Sequence, residues 1–478
     1  MKRLSILQLN DLHGYLEPHA EMFALGRETE LRSGGGLARV ATLFSRLREE
    51  RAGAVMALDN GDTFHGTMAA VKTHGEAVVA PMRALGLDGM TAHWEFAYGL
   101  ARVGEIAARL PYPILAANYH QRGASLALPP FTIIDRAGLK VAVIGLAAIL
   151  APHLLPHDQR AAVEMTIGEA ELGRLIPALR RDHGAELVVV LSHLGFPQDC
   201  KLAGVVAGID VLLSGHTHNR LEAPAVIDNT LIMQSGAHGS FVGRLDLQIA
   251  RDGISEWTHA LVPVDDALEP DDAMSELVAD ALAPFSDARA AVVGETTCTL
   301  HRYSMFESTM DNLLLDATAA AAGTSVAFSN GWRYGAPVAP GPLTEWDLWN
   351  IVPANPPVSV VTLTGQQLRT LFERNLEATF ASDPWQQRGG YLKRCRGVEL
   401  LVKLENPVGH RIQELTVDGA RVGDQDSIDA AFLGEQAVPA DAGSNRRSAD
   451  ITAVDALITY VRDQKSVTPA LRGNVTIV

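Results

Sequence analysis

Residues 4–14 read LSILQLNDLHG, a mostly apolar run that passes into an Asn-Asp loop with a histidine. The same pattern recurs in AVMALDNGD at 54–62, LVVVLSHLG at 187–195 and VLLSGHTH at 211–218. Short runs rich in Val, Ile and Leu are typical of strands that are buried on both faces. These segments therefore predict strands whose carboxyl ends carry aspartate and histidine.

Helical patterns and further strand candidates separate these segments. The apolar residues that share one face at helical spacing are Leu37, Val40, Phe44 and Leu47, followed by Val78, Met82 and Leu85. The other strand candidates are Ile114–Ala117, Leu139–Ile144 and Leu231–Gln234. Strands that alternate with helices predict a layered α/β domain, which we assign to residues 1–265.

A second domain follows a connecting helix. The segment from Leu268 to Ala288 opens with acidic residues, which interact favourably with a helix dipole, and continues with helical periodicity. We interpret 266–290 as a linker helix and 291–478 as a second domain of helices and strands. In that domain Thr364 and Gln367 form a capping-box pattern. A length of 478 residues fits two domains.

Composition places the chain among ordinary globular proteins. It is 47% hydrophobic and 20% charged, which excludes disordered, collagen-like and long coiled-coil classes. The longest apolar run, Val141–Leu150, is half the length that a membrane-spanning helix needs. A net charge of −16 opposes binding to phosphate backbones. We therefore expect no nucleic-acid and no membrane partner, while a local basic pocket for a small anion stays open.

Cysteine usage and the first residues indicate a location. The cysteines are odd in number and far apart, which predicts free thiols in a reducing compartment: Cys200, Cys298 and Cys395. Lys2 and Arg3 resemble the start of a signal peptide, but the apolar stretch behind them is too short. We expect a cytoplasmic protein, or a periplasmic one if a leader was removed before this numbering.

The loops after the predicted strands carry residue types that bind divalent metals. Because the carboxyl ends of parallel strands meet at one edge of a sheet, loops far apart in the chain can converge there. Carboxylates and imidazoles without cysteine suit Mn, Fe, Zn or Co better than Ca or a structural zinc. Each loop alone is more often a turn with a surface histidine, but together they predict a metal site.

Several motifs resemble a known family. NDLHG, GGLAR, DNGDTFHG, SHLG and SGHTH, in this order, resemble the N-terminal metallophosphoesterase domain of the 5′-nucleotidase family, and MDNLLLDA, FSNGWRYG and VVTLTGQQL continue the resemblance. It implies a four-layer α/β/β/α domain with a dinuclear metal site, followed by an α+β domain that binds substrate. The ligands implied are Asp11, His13 and His218 for the first metal, His193 and His216 for the second, and Asp62 for both.

The segment MTAHWEFAYG at 90–99 departs from the family pattern. Where the family has an asparagine ligand this chain has His93, which we expect to bind the second metal; the alternative is a histidine hydrogen-bonded beside the site. The family's catalytic histidine is replaced by Trp94, and the aspartate that orients it by Ala97. Trp94 is interpreted as a packing or pocket-wall residue.

The same replacement, together with DPWQQRGG at 383–390, is similar to the thiosulfohydrolases of bacterial sulfur oxidation, the SoxB-like branch. That resemblance implies two divalent cations, for which Mn is expected before Zn, Fe or Co. It also implies attack by a metal-bridging hydroxide on a phosphoryl or sulfonyl group. Since an acid beside the leaving group is missing, we expect a good leaving group; a thiol, with a pKa of about 8.5, departs readily as the anion. A carrier-protein partner is conceivable but unsupported.

Candidates for substrate binding lie in the second domain. Arg333 occupies the place of a substrate-binding arginine in the family and could also assist a departing group; the alternative is a surface ion pair. Trp385 and Tyr391, with Trp94, could contact substrate, although core packing is the alternative. Arg388 and Lys393 are interpreted as solvated surface charges.

Two rival functions stay open. One is a 5′-nucleotidase or cyclic-nucleotide phosphodiesterase that protonates its leaving group in another way. The other is a metal-binding interaction module that has lost catalysis, because Trp94 and Ala97 are the changes expected of such a module.

Overall fold

The computed structural model describes residues 1–25, 28–123 and 126–478 of the chain. It divides into two compact units, Met1–Pro284 and Phe285–Val478. Each unit has its own sheets and its own apolar core.

The first unit alternates strands and helices. Its strands are β1 (Lys2–Leu9), β2 (Pro18–Leu25), β3 (Glu28–Gly35), β4 (Val55–Asp59), β5 (Gly89–Met90), β6 (Tyr119–Gln121), β7 (Phe131–Arg136), β8 (Leu139–Leu146), β9 (Val163–Met165), β10 (Leu187–Ser192), β11 (Val211–Leu213), β12 (Ala225–Ile227), β13 (Thr230–Met233), β14 (Phe241–Ala250) and β15 (Gly253–Pro263). Its helices are α1 (Leu37–Glu50), α2 (Met68–Lys72), α3 (Glu76–Ala84), α4 (Leu100–Arg109), α5 (Ala151–Leu154), α6 (Glu169–Asp182), α7 (Phe196–Val205) and α8 (Asp272–Leu282).

Two mixed sheets form the centre of this unit. The first has the order β15-β14-β1-β4-β5, in which β1, β4 and β5 run parallel. The second has the order β12-β13-β11-β10-β8-β7, in which β8, β10, β11 and β13 run parallel. The strands predicted from the motifs therefore exist, but they belong to two sheets.

An apolar cluster joins the two sheets across their facing sides. It includes Leu4 and Met56 of the first sheet and Val141 and Val189 of the second. Because side chains alternate between the faces of a strand, and every residue of β4 and β10 is buried, the outer faces are covered as well. The four-layer arrangement is confirmed, and α1 buries the apolar face that the sequence predicted.

The predicted strand at Ile114–Ala117 is wrong. Only an isolated bridge links Ile114 to Met90. The amides that follow donate to different partners: Leu115 to Met90 O, Ala116 to Pro129 O and Ala117 to Gly145 O. The segment is apolar because Leu115 contributes to the core between the sheets, and a buried loop shares this composition with a strand.

The boundary between the units differs from the linker predicted at 266–290. Helix α8 buries Met274, Val278 and Leu282 within the first unit, where it contacts α1 and α3. Its N-cap is Asp271, whose side chain accepts from Met274 N at 2.8 Å. The acidic opening and the periodicity were thus correctly interpreted as a helix, but its apolar face belongs to a core.

The second unit is α+β. Its strands are β16 (Val292–Thr296), β17 (Val326–Gly331), β18 (Gly341–Thr344), β19 (Pro357–Thr364), β20 (Tyr391–Arg396), β21 (Val398–Val402), β22 (Ile412–Val417), β23 (Ala420–Arg421), β24 (Ser427–Leu433), β25 (Ser444–Thr452), β26 (Ser466–Val467) and β27 (Val475–Ile477). Its helices are α9 (Ser286–Ala290), α10 (Thr309–Ala322), α11 (Glu345–Trp349), α12 (Gly365–Phe380), α13 (Gly434–Ala437) and α14 (Ala453–Gln464). The central sheet has the order β20-β17-β24-β19-β25.

Helix α12 packs on this sheet. Its start has the predicted capping box, in which Thr364 accepts from Gln367 N and the Gln367 side chain accepts from Thr364 N. Its apolar face joins Phe328 and Phe432 in one cluster. The three cysteines are free, as expected. Among the described residues, no helix combines the length and the apolar character that crossing a bilayer requires.

Candidate metal centre

Five loops carry the predicted metal ligands, and they follow β1, β4, β5, β10 and β11. The sequence suggested that these loops meet at the edge of one sheet. They come instead from the carboxyl ends of parallel strands in the two facing sheets. The sandwich thus brings together residues that a single sheet would have spread along its edge.

The backbone of these loops is unusual. Five of the predicted ligands have a positive φ between 51° and 71°: Asp11, His13, Asp62, His216 and His218. Residues other than glycine rarely adopt this left-handed conformation, which costs about 1 kcal/mol or more and clusters at functional sites. The fold holds these loops in a strained conformation that directs the side chains inward.

The first group of donors surrounds Asp62. Its Oδ2 lies 3.0 Å from His93 Nδ1 and 3.1 Å from His193 Nε2, and His216 completes the group. Its Oδ1 accepts from the main-chain N–H of Trp94 at 2.8 Å. Each of the four residues offers one ligand atom within 4.8 Å of the others.

The second group surrounds Asp11. Its Oδ1 lies 3.3 Å from His218 Nε2, which is itself 3.3 Å from His13 Nε2. The two groups adjoin, because His193 Nε2 is 3.6 Å from Asp11 Oδ1 and His13 Nε2 is 3.8 Å from Asp62 Oδ2. All seven predicted metal ligands therefore lie in one continuous cluster.

The donor set fits two divalent transition-metal ions. Two carboxylates and five imidazoles are ligand types that Mn, Zn, Fe and Co accept. The Nε2 atoms of His13 and His218 face each other beside the Asp11 carboxylate, an arrangement in which a shared cation satisfies all three groups. Asp62, which lies close to donors of both groups, is positioned to bridge two ions.

Asn60 connects the two sheets beneath this cluster. Its Nδ2 donates to Ser192 O and Leu213 O, both at 2.7 Å, and its Oδ1 accepts from Gln8 Nε2 at 2.7 Å. Its carbonyl oxygen lies 2.6 Å from His193 Nδ1, which must donate to it. In the neutral ring that a metal ion would bind, this hydrogen bond leaves Nε2 of His193 as the acceptor nitrogen that faces the donor cluster.

Charges in the cluster perturb one another strongly. Burial would raise the pKa of Asp62, but the nearby His93 and His193 hold it well below its usual range. Burial would lower the pKa of His193, yet the carboxylates of Asp62 and Asp11 raise it to about 10. Burial lowers the pKa of His13 to about 4. Such opposed shifts within one buried cluster are typical of functional sites.

Two buried carboxyl groups beneath the ligands escaped the sequence analysis. Asp199 accepts from Ser192 Oγ at 2.6 Å and Ser214 Oγ at 2.5 Å, and burial raises its pKa to about 7. Asp59 accepts from Thr63 Oγ1 at 2.6 Å, and burial raises its pKa to about 8. Their role is to hold the loops that carry the ligands.

Two further histidines near the cluster were also missed. The ring of His238 lies 5.9 Å from His13 and 5.7 Å from His218, and the main-chain N–H of His238 donates to Asp11 O at 2.8 Å. The ring of His65 stacks on Trp94. A signal for His65 was present, since it follows Asp62 by three residues in DTFHG; no local pattern marked His238.

The substrate-binding candidates of the second unit form a cluster in part. The guanidinium of Arg333 lies 5.5 Å from the centroid of the Tyr391 ring, and its Nη2 donates to Gly390 O at 3.2 Å. Arg394 approaches the same ring at 5.3 Å. Trp385 lies in a 3₁₀ turn that spans Pro384–Gln386.

The interpretation of Lys393 as a surface charge is wrong. The side chain is buried, and its Nζ donates to Gln436 O at 2.9 Å. Burial lowers its pKa to about 7. Lys393 lies in β20 between buried neighbours, where the sequence offered only a short cluster of basic residues.

Comparison with known proteins finds similarity to 5′-nucleotidases and related phosphoesterases. The 5′-nucleotidase C-terminal domain matches residues 277–430. The chain is 23% identical to the trifunctional nucleotide phosphoesterase protein YfkN of Bacillus subtilis over 89% of its own length, although it spans only 30% of the length of YfkN. The chain thus contains a segment that matches a 5′-nucleotidase domain and is similar to a nucleotide phosphoesterase over most of its length.

Two solved structures share the fold over the whole chain. The sulfate thiohydrolase SoxB of Thermus thermophilus matches with a TM-score of 0.90 and 24% identity, covering 99% of this chain and 96% of that one. A 5′-nucleotidase precursor of Thermus thermophilus matches with a TM-score of 0.88 and 23% identity, covering 100% and 99%. The predicted succession of a metallophosphoesterase domain and a 5′-nucleotidase C-terminal domain is confirmed.

Proposed function

We propose that this chain is a hydrolase that uses two divalent cations to cleave a phosphoryl or sulfonyl group. The observation that carries the proposal is the pair of adjoining donor groups, Asp62 with His93, His193 and His216, and Asp11 with His13 and His218. A set of imidazoles and carboxylates accepts Mn, Zn, Fe or Co, and manganese is the first expectation for both ions.

Two cations held by these groups would supply a water nucleophile at neutral pH and neutralise charge on the oxygens of the attacked group. The protein's own part is orientation. The Asn60 carbonyl sets the His193 tautomer, and the Trp94 N–H fixes the Asp62 carboxylate from the side opposite its histidines. Both contacts keep Asp62 and His193 in place before a substrate arrives.

The substrate we propose has a good leaving group. Trp94 and Ala97 stand at the positions where we expect relatives to carry a catalytic histidine and the aspartate that orients it. Neither side chain can donate a proton to a departing alkoxide. A thiolate departs without protonation, and so do the leaving groups of many activated esters and phosphoanhydrides. The similarity in fold to a sulfate thiohydrolase agrees with a sulfur-bound sulfonate as one such substrate.

A leaving-group panel tests the proposal. Protein loaded with Mn would be assayed on an S-sulfonated thiol, an aryl phosphate and an alkyl phosphate such as a nucleoside monophosphate. We expect turnover to fall in this order, by about 10² to 10⁴ between the first and the last. Equal rates across the panel would contradict the leaving-group argument.

Nucleotide hydrolysis is the second candidate. The pairing of Arg333 with the Tyr391 ring favours it, because a guanidinium and an aromatic face suit an anionic ligand with a planar base. A preference for nucleoside monophosphates in the same panel would support this function. Two bound metals without turnover on any substrate would instead support an impaired metal-binding module.

A further inference from the structure

His65 is a buried histidine beside the metal centre that neither donor group uses. Its side chain is 2% exposed, and its Nδ1 is enclosed without a hydrogen-bond partner. A buried polar atom in this state destabilises a protein by about 1–3 kcal/mol. A buried polar atom without a partner needs a structural or functional explanation, and this makes the surroundings of His65 informative.

The loop that carries His65 is tightly held. Thr63 N–H donates to Glu95 at 2.7 Å, and Thr63 Oγ1 donates to Asp59 at 2.6 Å. The carbonyl oxygen of Phe64 accepts from Tyr98 OH at 3.2 Å. Because the residues before His65 are fixed on both sides, its ring has a defined position relative to Asp62.

That position is against Trp94. The two ring centroids are 4.3 Å apart with an interplanar angle of 27°, an offset stack. Trp94 also donates its main-chain N–H to Asp62 Oδ1 at 2.8 Å. The His65–Trp94 ring pair is therefore one hydrogen bond away from the carboxylate that lies between the two donor groups.

The imidazole of His65 is neutral. Burial and the proximity of His13 lower its pKa to about 3. A neutral ring offers one N–H donor and one acceptor nitrogen, and it does not act as a proton source for a leaving group at neutral pH. It can still donate a hydrogen bond to an anion, as neutral imidazoles do in other enzymes.

We propose that His65 is a substrate-binding residue, whose imidazole donates a hydrogen bond to an oxygen of the tetrahedral anionic group bound beside Asp62. This inference rests on the proposed two-metal hydrolase function and adds a residue to it. It also explains why the stacked aromatic ring is Trp94: the indole orients the imidazole and excludes water from one of its faces.

Binding of inorganic phosphate tests the proposal directly. Calorimetry with Mn-loaded protein would compare the wild type with H65F, which keeps the stacked ring but removes both nitrogens, and with H65Q, which keeps a donor. The matched control is H74N. His74 is exposed and stacks on Tyr98 at 5.3 Å, and asparagine tolerates its positive φ of 50°.

We expect H65F to weaken phosphate binding about fivefold to tenfold, H65Q to recover part of the loss, and H74N to bind like the wild type. Metal content, measured on every variant, should not change. H65F should melt no lower than the wild type, because it removes a buried polar atom that has no partner. If the wild type binds phosphate and H65F binds it equally well, His65 has no such contact. If the Mn-loaded wild type binds no phosphate at all, the proposed function is wrong and this inference with it.

Turnover separates a binding role from an acid role. A contact with the transferred group predicts that H65F lowers kcat/KM by a similar factor for thiolate, aryl and alkyl leaving groups. A loss confined to the alkyl leaving group would mean that His65 acts as a proton donor, which would overturn the proposal.

Discussion

Both units bury carboxylates together with nitrogen bases, but the two clusters are completed in different ways. In the second unit Asp311 accepts from Arg302 Nε at 2.9 Å, Arg394 Nε at 2.8 Å and Ser308 Oγ at 2.7 Å. In the first unit two carboxylates are surrounded by histidines whose nitrogens also face one another. The Asp311 cluster neutralises its carboxylate with the chain's own guanidinium groups, whereas the donor cluster has the composition of a site that divalent cations from solution could complete.

The backbone conformation also differs between the donor cluster and the Asp311 cluster. The ligand loops adopt left-handed conformations at five residues other than glycine, whereas Asp311 lies within the regular helix α10. Eight other described residues besides glycine also have a positive φ, but five such residues are concentrated in the ligand loops. That concentration indicates a binding function there, because strain clusters at functional sites. Burial of ionic groups does not by itself distinguish a binding site from a structural ion pair. The geometry of the groups makes that distinction.

The largest effect is expected from removing the carboxylate of Asp62, which belongs to one donor group and lies 3.8 Å from His13 of the other. D62N should lower kcat/KM on an aryl phosphate by about 10³-fold or more and should reduce bound metal below two ions per chain, because a neutral amide neither bridges nor balances two cations. Metal analysis and steady-state kinetics measure both effects. D135N, which changes an exposed carboxylate of β7, is the control. Two retained ions with full activity would contradict the bridging role.

The matching change in the second unit should affect stability and leave metal content unchanged. D311N leaves two buried guanidinium groups without their carboxylate and should destabilise that unit by about 3–5 kcal/mol. Urea unfolding measures the loss. D316N, at a partly exposed ion pair with Arg396 and Arg472, should cost only about 1 kcal/mol. Equal losses in the two variants would remove the distinction drawn for Asp311.

Removing metal should destabilise the first unit selectively. Mn at 100 times its dissociation constant should stabilise the native state by about 2.7 kcal/mol relative to chelator-treated protein. Hydrogen exchange followed by mass spectrometry locates the effect, which we expect at the carboxyl ends of β1, β4, β10 and β11. Protection that increases equally around Asp311 would contradict a local metal site.

The smallest effect concerns pH and Lys393. Since its pKa is about 7 when folded and about 10.5 when unfolded, the unfolded chain binds more protons between these values, and stability rises with pH across that window. K393M removes the penalty, so any advantage over the wild type should be largest near pH 7 and should shrink toward pH 10. Urea unfolding at several pH values measures this difference. A constant difference would show that burial does not perturb the lysine.

Much of the site could be predicted from the sequence because its chemistry is concentrated in short motifs. The pairs Asp11 with His13 and His216 with His218 follow apolar strands directly, and the structure places all of them in the cluster. His93 was expected to be a ligand because it stands where the 5′-nucleotidase family pattern has an asparagine ligand, and its Nδ1 lies 3.0 Å from Asp62 Oδ2. The loops' left-handed backbone and the sheet that each belongs to were not predictable, because neither depends on local composition.

Errors arose where a local pattern has two tertiary outcomes. Ile114–Ala117 has the composition of a strand but crosses the core as a loop, and Lys393 has the composition of a surface residue but is buried. In both cases the local composition is compatible with two outcomes. The residues that decide between them lie far away in the chain.

The sequence by itself determined the helix caps, the alternation of strands and helices, and the identity of the donors that follow the strands. These depend on neighbours within a few residues, where backbone geometry and side-chain chemistry act directly. Only the tertiary structure decided that two facing sheets bring the donors together, that Asn60 joins them, and that His65 stacks on Trp94. Those contacts arise from long-range packing, in which each side chain's position depends on the whole core.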